Sequence, residues 1–236
     1  MDLGRHILRR LSESFGLLQA TQIYLRYRAF TMIPWHKFAS NIVLCKEKAP
    51  ETGCVVEAGV WRGGMSAGIA DALPGRLHYL FDSFQGLPPA EQRDGRAALE
   101  WQSNTSSPSY YDNCRAEQSF AERAMAKAAA REIHVIPGWF EDTLPTFVPK
   151  EPIAILRLDA DWYASTIQCL TNLYPHVMEG GLIILDDYYS WDGCARAVHD
   201  YLSAHKCADR IRQGLGGICY LMKSSTETFV DSRWSG

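Results

Sequence analysis

Apolar residues fall along this chain in two kinds of run. Short runs rich in β-branched and aromatic residues predict strands at 54–58, 77–82, 133–137, 153–159, 182–187 and 217–222. Patterns at helical spacing lie between them, at 64–73, 110–130, 164–174 and 193–205. Strands that are apolar on both faces and joined by helices indicate a parallel sheet covered on both sides. We therefore predict an α/β fold with a doubly wound, mostly parallel sheet.

The first thirty residues have a different pattern, which is basic and amphipathic. They predict one long surface helix whose apolar stripe comprises Ile7, Leu8, Leu11, Phe15, Leu18, Ile23 and Leu25. No apolar run here reaches the length of a signal peptide or a membrane span. We expect this helix to pack on the domain or on a second subunit, and the alternative is attachment to a membrane surface through its arginines. The predicted division is an N-terminal helical cap or oligomerisation segment at 1–50 and the main domain at 51–236.

Composition narrows the class of protein. At 236 residues, 47% of them hydrophobic, the chain suits a globular protein with a full central sheet. Its 24 basic and 27 acidic residues give a net charge of -3, without the Lys/Arg stripe that nucleic-acid binding requires. Seven scattered cysteines without a C-x-x-C pair suit reduced thiols rather than disulfides or a zinc site. We expect a cytoplasmic protein that binds neither nucleic acid nor membrane.

A glycine-rich turn follows the first predicted strand, in VVEAGVWRGGMS. Glycine lets the backbone approach a ligand closely, and Ser66 lies where the next helix offers free N–H groups. The spacing is G-x-x-x-G-G rather than the dinucleotide fingerprint G-x-G-x-x-G. Glu57 precedes the first glycine, Gly59, and its carboxylate would repel a pyrophosphate but attract an ammonium or sulfonium group.

Two more strand ends carry candidate ligand contacts. Asp82 closes the second strand, where a carboxylate can accept both hydroxyls of a ribose, although it could instead cap a turn. Gly138, Trp139 and Phe140 follow the third strand, where an aromatic ring could stack on adenine or simply pack in the core. Together the three strand ends suit S-adenosylmethionine, with carboxylates for its amino group and ribose and aromatics for its base.

Four aspartates follow the next two strands, in LRLDADWYAST and LIILDDYYSW. Asp159 and Asp161 would emerge on the same side of an extended strand, where they repel unless a cation or proton intervenes. Adjacent parallel strands would bring Asp159 beside Asp186 and Asp187, and three oxygen ligands of this kind suit Mg²⁺. Asp161 would then be free to accept a proton as the base.

A D-x-D pattern at a strand end also occurs in other classes of enzyme. A haloacid-dehalogenase-type phosphatase would have it near the start of the chain and a lysine before the later acidic pair, but no lysine lies between Asp161 and Asp186. A nucleotide-sugar glycosyltransferase that binds Mn²⁺ would leave Glu57 and Asp82 without a role. A purely structural cluster would be destabilised by its own charge. His199 is an alternative base because histidine titrates near neutrality, but it lies more than a helical turn beyond the aspartate pair.

One long polar segment, 85–109, has no place in the predicted sheet. Loops of this length inside a compact domain are functional lids or disordered segments. We expect this one to cover the acceptor.

Four segments carry a resemblance to a known family: EAGVWRGG, FDSFQGLP, LRLDADWYAST and GGLIILDDYYSWDGCARAV. Their combination and order resemble the macrocin O-methyltransferase family, which modifies sugars of natural products, over most of 31–198. The resemblance implies a Rossmann-like class I S-adenosylmethionine methyltransferase that depends on Mg²⁺, with Asp159, Asp186 and Asp187 as ligands and Asp161 as base. It also suggests that Thr31 and Met32, in FTMIPW, close over the cofactor. The chain departs from the family at Ala58 and in YYSWDG, which leaves the acceptor open.

The sequence thus predicts an O-methyltransferase that acts on a hydroxyl of a sugar or glycosylated metabolite, and that forms a homo-oligomer through its N-terminal helices. A catechol or phenol acceptor and a non-catalytic scaffold are the alternatives. The predicted catalytic residue is Asp161, and the predicted cofactor-binding residues are Thr31, Met32, Glu57, Gly59, Val60, Trp61, Ser66, Asp82, Ser83, Phe84, Gly138, Trp139 and Phe140.

Overall fold

The computed structural model describes residues 16–224. A helix over residues 16–27 (α1) comes first in this range. The other helices are α2 (Trp35–Lys48), α3 (Gly64–Ala72), α4 (Arg96–Ser103), α5 (Gln118–Met125), α6 (Phe140–Thr143), α7 (Tyr163–Leu173) and α8 (Asp192–Ala204). Short 3-10 turns lie at Arg28–Phe30, Gln92–Asp94, Tyr174–His176 and Leu215–Gly217.

The strands form one sheet in the order β3-β2-β1-β4-β5-β7-β6. Their bounds are β1 (Cys54–Ala58), β2 (Leu77–Asp82), β3 (Glu132–Pro137), β4 (Ile153–Leu158), β5 (Val177–Leu185), β6 (Arg212–Gln213) and β7 (Cys219–Met222). β1 to β5 are parallel, whereas β7 runs antiparallel to both β5 and β6. All six predicted strands are present, and the predicted doubly wound, mostly parallel sheet is confirmed.

Two apolar layers cover the sheet, because successive strand residues point to opposite faces. Val56, Leu156 and Ile183 face a layer that includes α7 and α8. Val55 and Ile155 face the other layer, which includes α1, α2 and α3. Each fully buried Val, Leu or Ile side chain stabilises the fold by about 1.5 to 3 kcal/mol. The strands therefore need to be apolar on both faces, as their sequences are.

The N-terminal helix differs from its prediction. Ala20, Ile23 and Tyr27 are buried against the domain, whereas Leu18 and Leu25 of the predicted stripe are 64% and 55% exposed. The buried stripe is therefore shifted round the helix, because the Tyr27 ring is buried and its hydroxyl donates to Asp71 on α3. The rest of the predicted stripe (Ile7, Leu8, Leu11 and Phe15) lies outside the described residues. Oligomerisation through this helix and the boundary at residue 50 stay predictions.

The segment 85–109 is folded. It contains the 3-10 turn Gln92–Asp94 and α4, and it packs against α7 and α8. The buried carboxylate of Asp94 accepts a hydrogen bond of 2.7 Å from Tyr163 N at the start of α7. Gly193 allows this close approach, since a Cβ there would lie 2.2 Å from Asp94 Oδ1. Whether the segment moves when ligands bind stays a prediction.

The helix predicted over 110–130 is shorter than expected. Only Gln118–Met125 is helical, and residues 111–114 instead have positive φ angles of 51° to 59°. Asp and Asn tolerate this left-handed conformation better than other non-glycine residues. The Asn113 side chain fixes it by donating to Leu87 O, at 2.8 Å, and by accepting from Gln102. Among the described helices, none has the length and hydropathy that crossing a membrane requires.

Candidate active site

A cavity of about 740 Å³ opens at the carboxyl ends of the parallel strands. In sheets of this type the crevice forms where the strand order reverses, which here is between β1 and β4. The loop after β1 lines one side of the cavity, and the segments after β4 and β5 line the other. Most of the predicted cofactor and metal residues therefore meet in one cavity, although they are far apart in sequence.

The contact between these two sides depends on Gly59. Its φ angle is 86°, and a Cβ at this position would lie 1.8 Å from the backbone oxygen of Asp159. No other residue type fits such an approach. The backbones after β1 and β4 are also tied by a hydrogen bond of 2.9 Å from Asp159 N to Ala58 O. Gly59 thus places the glycine-rich loop directly beside the acidic segment.

The segments after β1, β2 and β3 form one side of the cavity, which we call the cofactor side, and those after β4 and β5 form the acidic side. Asp82 fixes the shape of the cofactor side. Its Oδ2 accepts hydrogen bonds from Val60 N and Trp61 N, each at 2.8 Å, and its Oδ1 accepts from Phe84 N at 2.7 Å. Burial raises the pKa of this carboxyl group, while the three N–H donors act in the opposite direction. Asp82 therefore fixes the turns after β1 and β2, as the turn alternative expected, and it also lines the cavity.

Glu57 is buried, with 2% of its surface exposed, although it lines the cavity. It is in register with Arg157 on β4, so both side chains lie on the same face of the sheet. Arg157 Nη1 donates to Glu57 Oε1 at 2.5 Å, and the hydroxyl of Ser66 donates to Oε2. Ser66 is fully buried and is not in the cavity lining. Glu57 is thus already paired with a cation of the protein.

Arg157 is a site residue that the sequence reasoning missed. It is fully buried, and it also donates to Asp159 Oδ2 at 2.9 Å and to Asp186 Oδ1 at 2.6 Å. Burial opposes its charge, but Asp186, Asp159 and Glu57 outweigh burial and raise its pKa. The sequence did indicate a role for Arg157, because an arginine inside the apolar run IAILRLD is buried and therefore needs a partner of opposite charge.

The acidic side of the cavity brings the four predicted aspartates together. One carboxylate oxygen from each of Asp159, Asp161 and Asp187 lies within 4.8 Å of the others. Asp186 directs Oδ1 to Arg157 instead. The geometric trio therefore contains Asp161, which was predicted as the base, in place of Asp186, which was predicted as a ligand. The division between ligands and base stays a prediction.

The electrostatics of this trio favour a bound cation. Burial, followed by the repulsion of neighbouring carboxylates, raises the pKa values of Asp159 and Asp187 well above their usual range. Burial likewise raises the pKa of Asp161 to about 7. Arg157 is the single ion-pair partner for this set within residues 16–224. A hard divalent cation fits the donor set, since it would supply the missing positive charge to oxygen ligands.

The other predicted cofactor residues lie mostly around the same cavity. Its lining includes Thr31, Met32, Val60, Trp61, Ser83, Gly138, Trp139 and Phe140. Phe84 is not part of it and packs against the apolar core instead. Thr31 and Met32 reach the cavity because the extended chain after the 3-10 turn Arg28–Phe30 passes over α3, where Gly64 gives it room.

Aromatic and histidine side chains complete the acidic side. Trp191 lines the cavity, and its indole Nε1 donates to Asp161 Oδ1 at 2.9 Å. In the sequence, Trp191 belongs to the segment YYSWDG, which departs from the family and predicted no contact with Asp161. His199, the alternative base, instead bonds the Tyr188 hydroxyl through Nε2 at 2.9 Å. His199 and Tyr188 are absent from the cavity lining.

Comparisons with known proteins agree with this arrangement. Residues 28–219 match the family model described as Macrocin-O-methyltransferase (TylF). The chain is 35% identical over 202 residues to the mycinamicin III 3''-O-methyltransferase of Micromonospora griseorubida, covering 79% of this chain and 77% of that protein. It is 33% identical over 193 residues to the 8-demethyl-8-(2,3-dimethoxy-alpha-L-rhamnosyl)-tetracenomycin-C 4'-O-methyltransferase of Streptomyces olivaceus, covering 78% and 72%.

Among solved structures, that of the O-methyltransferase NovP superposes with a TM-score of 0.67 at 31% identity, covering 83% of each chain. The architecture is thus the Rossmann-like fold of class I S-adenosylmethionine methyltransferases, as the resemblance implied. The family match spans the whole cavity, from the residues before Thr31 to those beyond Trp191. The chain therefore belongs to the macrocin-O-methyltransferase (TylF) family and is an O-methyltransferase.

Proposed function

We propose that this protein transfers the methyl group of S-adenosylmethionine to a hydroxyl of a sugar on a glycosylated natural product, with Mg²⁺ bound beside the acceptor. The observation that carries the proposal is the acidic trio of Asp159, Asp161 and Asp187, which adjoins a cofactor-sized pocket in one cavity. A relative supports a sugar acceptor, because its name gives a substrate that carries a rhamnosyl group.

In the proposed complex, Asp82 binds the ribose. A carboxylate offers about four acceptor positions, and the backbone donors after β1 and β2 use three of them. The remaining position can take a ribose hydroxyl. Glu57, which Arg157 already neutralises, would accept from the amino group of the cofactor as a hydrogen-bond partner rather than as an isolated charge. Trp139 and Phe140 would pack against the adenine.

The carboxylates after β4 and β5 would hold Mg²⁺, through Asp159, Asp187 and the second oxygen of Asp186. Mg²⁺ bound there would supply positive charge that favours loss of a proton from a nearby hydroxyl. Arg157 would keep Asp159 and Asp186 in place by bonding one oxygen of each. It thereby leaves their other oxygens for the ion.

Asp161 would act as the base. It accepts the acceptor's proton as the hydroxyl oxygen forms its bond to the methyl carbon, while the bond from carbon to sulfur breaks and leaves a neutral thioether. A base whose pKa lies near neutrality suits this step, and positioned bases contribute about 10² to 10⁴ in rate. Gly59 brings the loop after β1 against the backbone of Asp159, two residues before Asp161, which supports a cofactor and a base on the same side of the cavity.

Turnover as a function of Mg²⁺ concentration tests the proposal, with isotopically labelled S-adenosylmethionine and a panel of glycosylated and phenolic acceptors. Asp187→Asn removes a ligand charge, so its activity should fall and recover in part at high Mg²⁺. Asp161→Asn should lower kcat by about 10² or more at every Mg²⁺ concentration, because the amide cannot accept the proton. Rescue of Asp161→Asn by Mg²⁺ would make Asp161 a ligand, and transfer to phenols alone would overturn the sugar acceptor.

A further inference from the structure

We propose that Trp191 is a positioning residue, whose indole N–H holds the carboxylate of Asp161 in the orientation that receives the acceptor's proton. The inference rests on the proposed function, since it concerns the same base. It assigns a role to a residue that contacts Asp161 but carries no reacting group itself.

Two hydrogen bonds fix Asp161, one from its backbone and one to its side chain. Its φ angle is 55°, a left-handed conformation that few residues other than glycine adopt, although aspartate tolerates it better than most. Its backbone N donates to Asp187 Oδ2 at 3.0 Å, which holds this turn in place. The second is the bond of 2.9 Å from Trp191 Nε1 to Asp161 Oδ1. This bond sets the direction of the carboxylate and takes one of its roughly four acceptor positions, which leaves both positions of Oδ2 for a proton.

Trp191 can hold Asp161 because it is itself held. Its backbone N donates to Asp187 O at 2.9 Å, and α8 begins at the next residue. Its ring packs against the ring of buried Trp162, with 5.3 Å between centroids, and against that of Trp101, at 6.1 Å. These three tryptophans, from the segments after β4 and β5 and from α4, form a cluster behind the base.

The three indole N–H groups have different partners. Trp162 Nε1 donates to Pro88 O and Trp101 Nε1 to Ser109 O, each at 3.0 Å, so both bond to the backbone of the segment 85–109. Trp191 is the cluster member that bonds to a carboxylate and lines the cavity. A hydrogen bond to an ionised group is roughly twice as strong as one between neutral groups. Trp191 therefore couples the rigid cluster to the reacting side chain.

Orientation matters because a displacement of about 1 Å from the reactive geometry can cost about 10² in rate. Trp191→Phe removes the N–H and keeps an aromatic ring. We expect kcat to fall by about 10-fold or more, while the KM values for S-adenosylmethionine and acceptor stay within about 2-fold. Trp101→Phe is the matched control, since it removes an indole N–H from the same cluster at a residue that is neither bonded to Asp161 nor next to it in sequence, and its kcat should stay within about 3-fold.

A spectroscopic measurement tests the contact without turnover. In protein labelled with ¹⁵N-tryptophan, the indole signal that disappears in Trp191→Phe should shift upfield in Asp161→Asn, because its acceptor loses its charge. The signal that disappears in Trp101→Phe should stay in place. If no indole signal moves in Asp161→Asn, the contact is absent and the inference is overturned, and this reading requires only the Asp161 variant to fold.

The kinetic outcomes separate this inference from the proposed function. Equal losses of kcat in Trp191→Phe and Trp101→Phe would make the role one of packing alone. A higher acceptor KM with unchanged kcat would make Trp191 an acceptor contact. Either result overturns the inference and leaves the proposed function standing as long as Asp161→Asn is inactive. Normal turnover by Asp161→Asn would instead remove the base on which both rest.

Discussion

The cofactor side of the cavity and its acidic side contain similar carboxylates in different surroundings. Asp82 accepts hydrogen bonds from three backbone N–H groups, and Glu57 accepts hydrogen bonds from Ser66 and Arg157. The four aspartates after β4 and β5 share a single ion-pair partner in the described chain, Arg157, whose contacts reach only two of them. The carboxylates of the first side all have donors within the chain, whereas those of the second side include several that face one another without a cation.

This difference indicates which side needs something from outside the chain. Buried carboxylates are stable when donors or cations surround them and costly when they face each other. The cofactor side can therefore form its shape before a ligand arrives. The acidic side gains the most from an added cation, and Arg157 lies between the two sides as their common partner. We expect perturbations of the two sides to respond differently to Mg²⁺ and to pH.

The largest effect on stability is expected from replacing Arg157, which has partners on both sides of the cavity. Arg157→Met would leave Glu57, Asp159 and Asp186 without their cation. Removing one partner of a buried ion pair costs about 3 to 5 kcal/mol, so the free energy of unfolding should fall by that amount. Mg²⁺ should restore part of it, because it binds a site that has become more negative. Urea denaturation with and without Mg²⁺ measures both effects.

Arg76→Met is the matched control. Arg76 is buried too, but its donors reach only the backbone oxygens of Pro50 and Glu51. The free energy of unfolding should fall by less in Arg76→Met than in Arg157→Met, and Mg²⁺ should not restore it. If Mg²⁺ stabilised Arg157→Met no more than the wild-type protein, the prediction that a cation compensates for the missing arginine would be wrong.

A smaller effect on stability is expected from His78, a buried residue near the start of β2, the strand that ends at Asp82. Burial lowers its pKa from 6.5 to about 3, so between these values the unfolded chain binds the proton and the folded protein does not. Stability should therefore decrease as the pH falls, by about 2 kcal/mol between pH 7 and pH 5. The aspartates with raised pKa values act in the opposite direction. The difference in unfolding free energy between wild-type protein and His78→Leu at each pH isolates the histidine.

If the difference between wild-type protein and His78→Leu did not change between pH 7 and pH 5, His78 would be solvated or would have an acceptor for its buried Nε2, contrary to the structure.

The smallest effect tests how far the cofactor side is independent of the metal. Asp82→Asn places an amide N–H against backbone donors after β1 or β2, which should destabilise the fold by about 1 to 2 kcal/mol. The affinity for S-adenosylmethionine should fall about 10-fold, since the loop that it fixes lines the cavity. EDTA should change the wild-type affinity by less than about 2-fold. Calorimetry measures both, and equal losses would show that the two sides act as one.

Much of the fold was predictable because its signals are local. The six strand runs, and the helices that follow β1, β4 and β5, appear in the structure within a few residues of their predicted bounds. Burial on both faces of a parallel sheet demands an uninterrupted apolar run, and that run is visible in the sequence. The predictions that failed lay where local pattern was overridden. The apolar stripe of α1 is shifted because Tyr27 finds a partner in Asp71, and the helix over 110–130 is shortened because residues 111–114 turn left-handed.

By itself the sequence determined that carboxylates would gather at one edge of the sheet, because parallel strands end on the same side and Asp82, Asp159 and Asp186 each follow a strand. Only the tertiary structure decided which of these carboxylates receive backbone donors and which pair with an arginine. Glu57 and Arg157 are one hundred residues apart and pair because β1 and β4 are adjacent and in register. Trp191 meets Asp161 because the segments after β4 and β5 turn toward each other. Side-chain partners depend on strand order and register, which the hydrophobic pattern of a single chain does not specify.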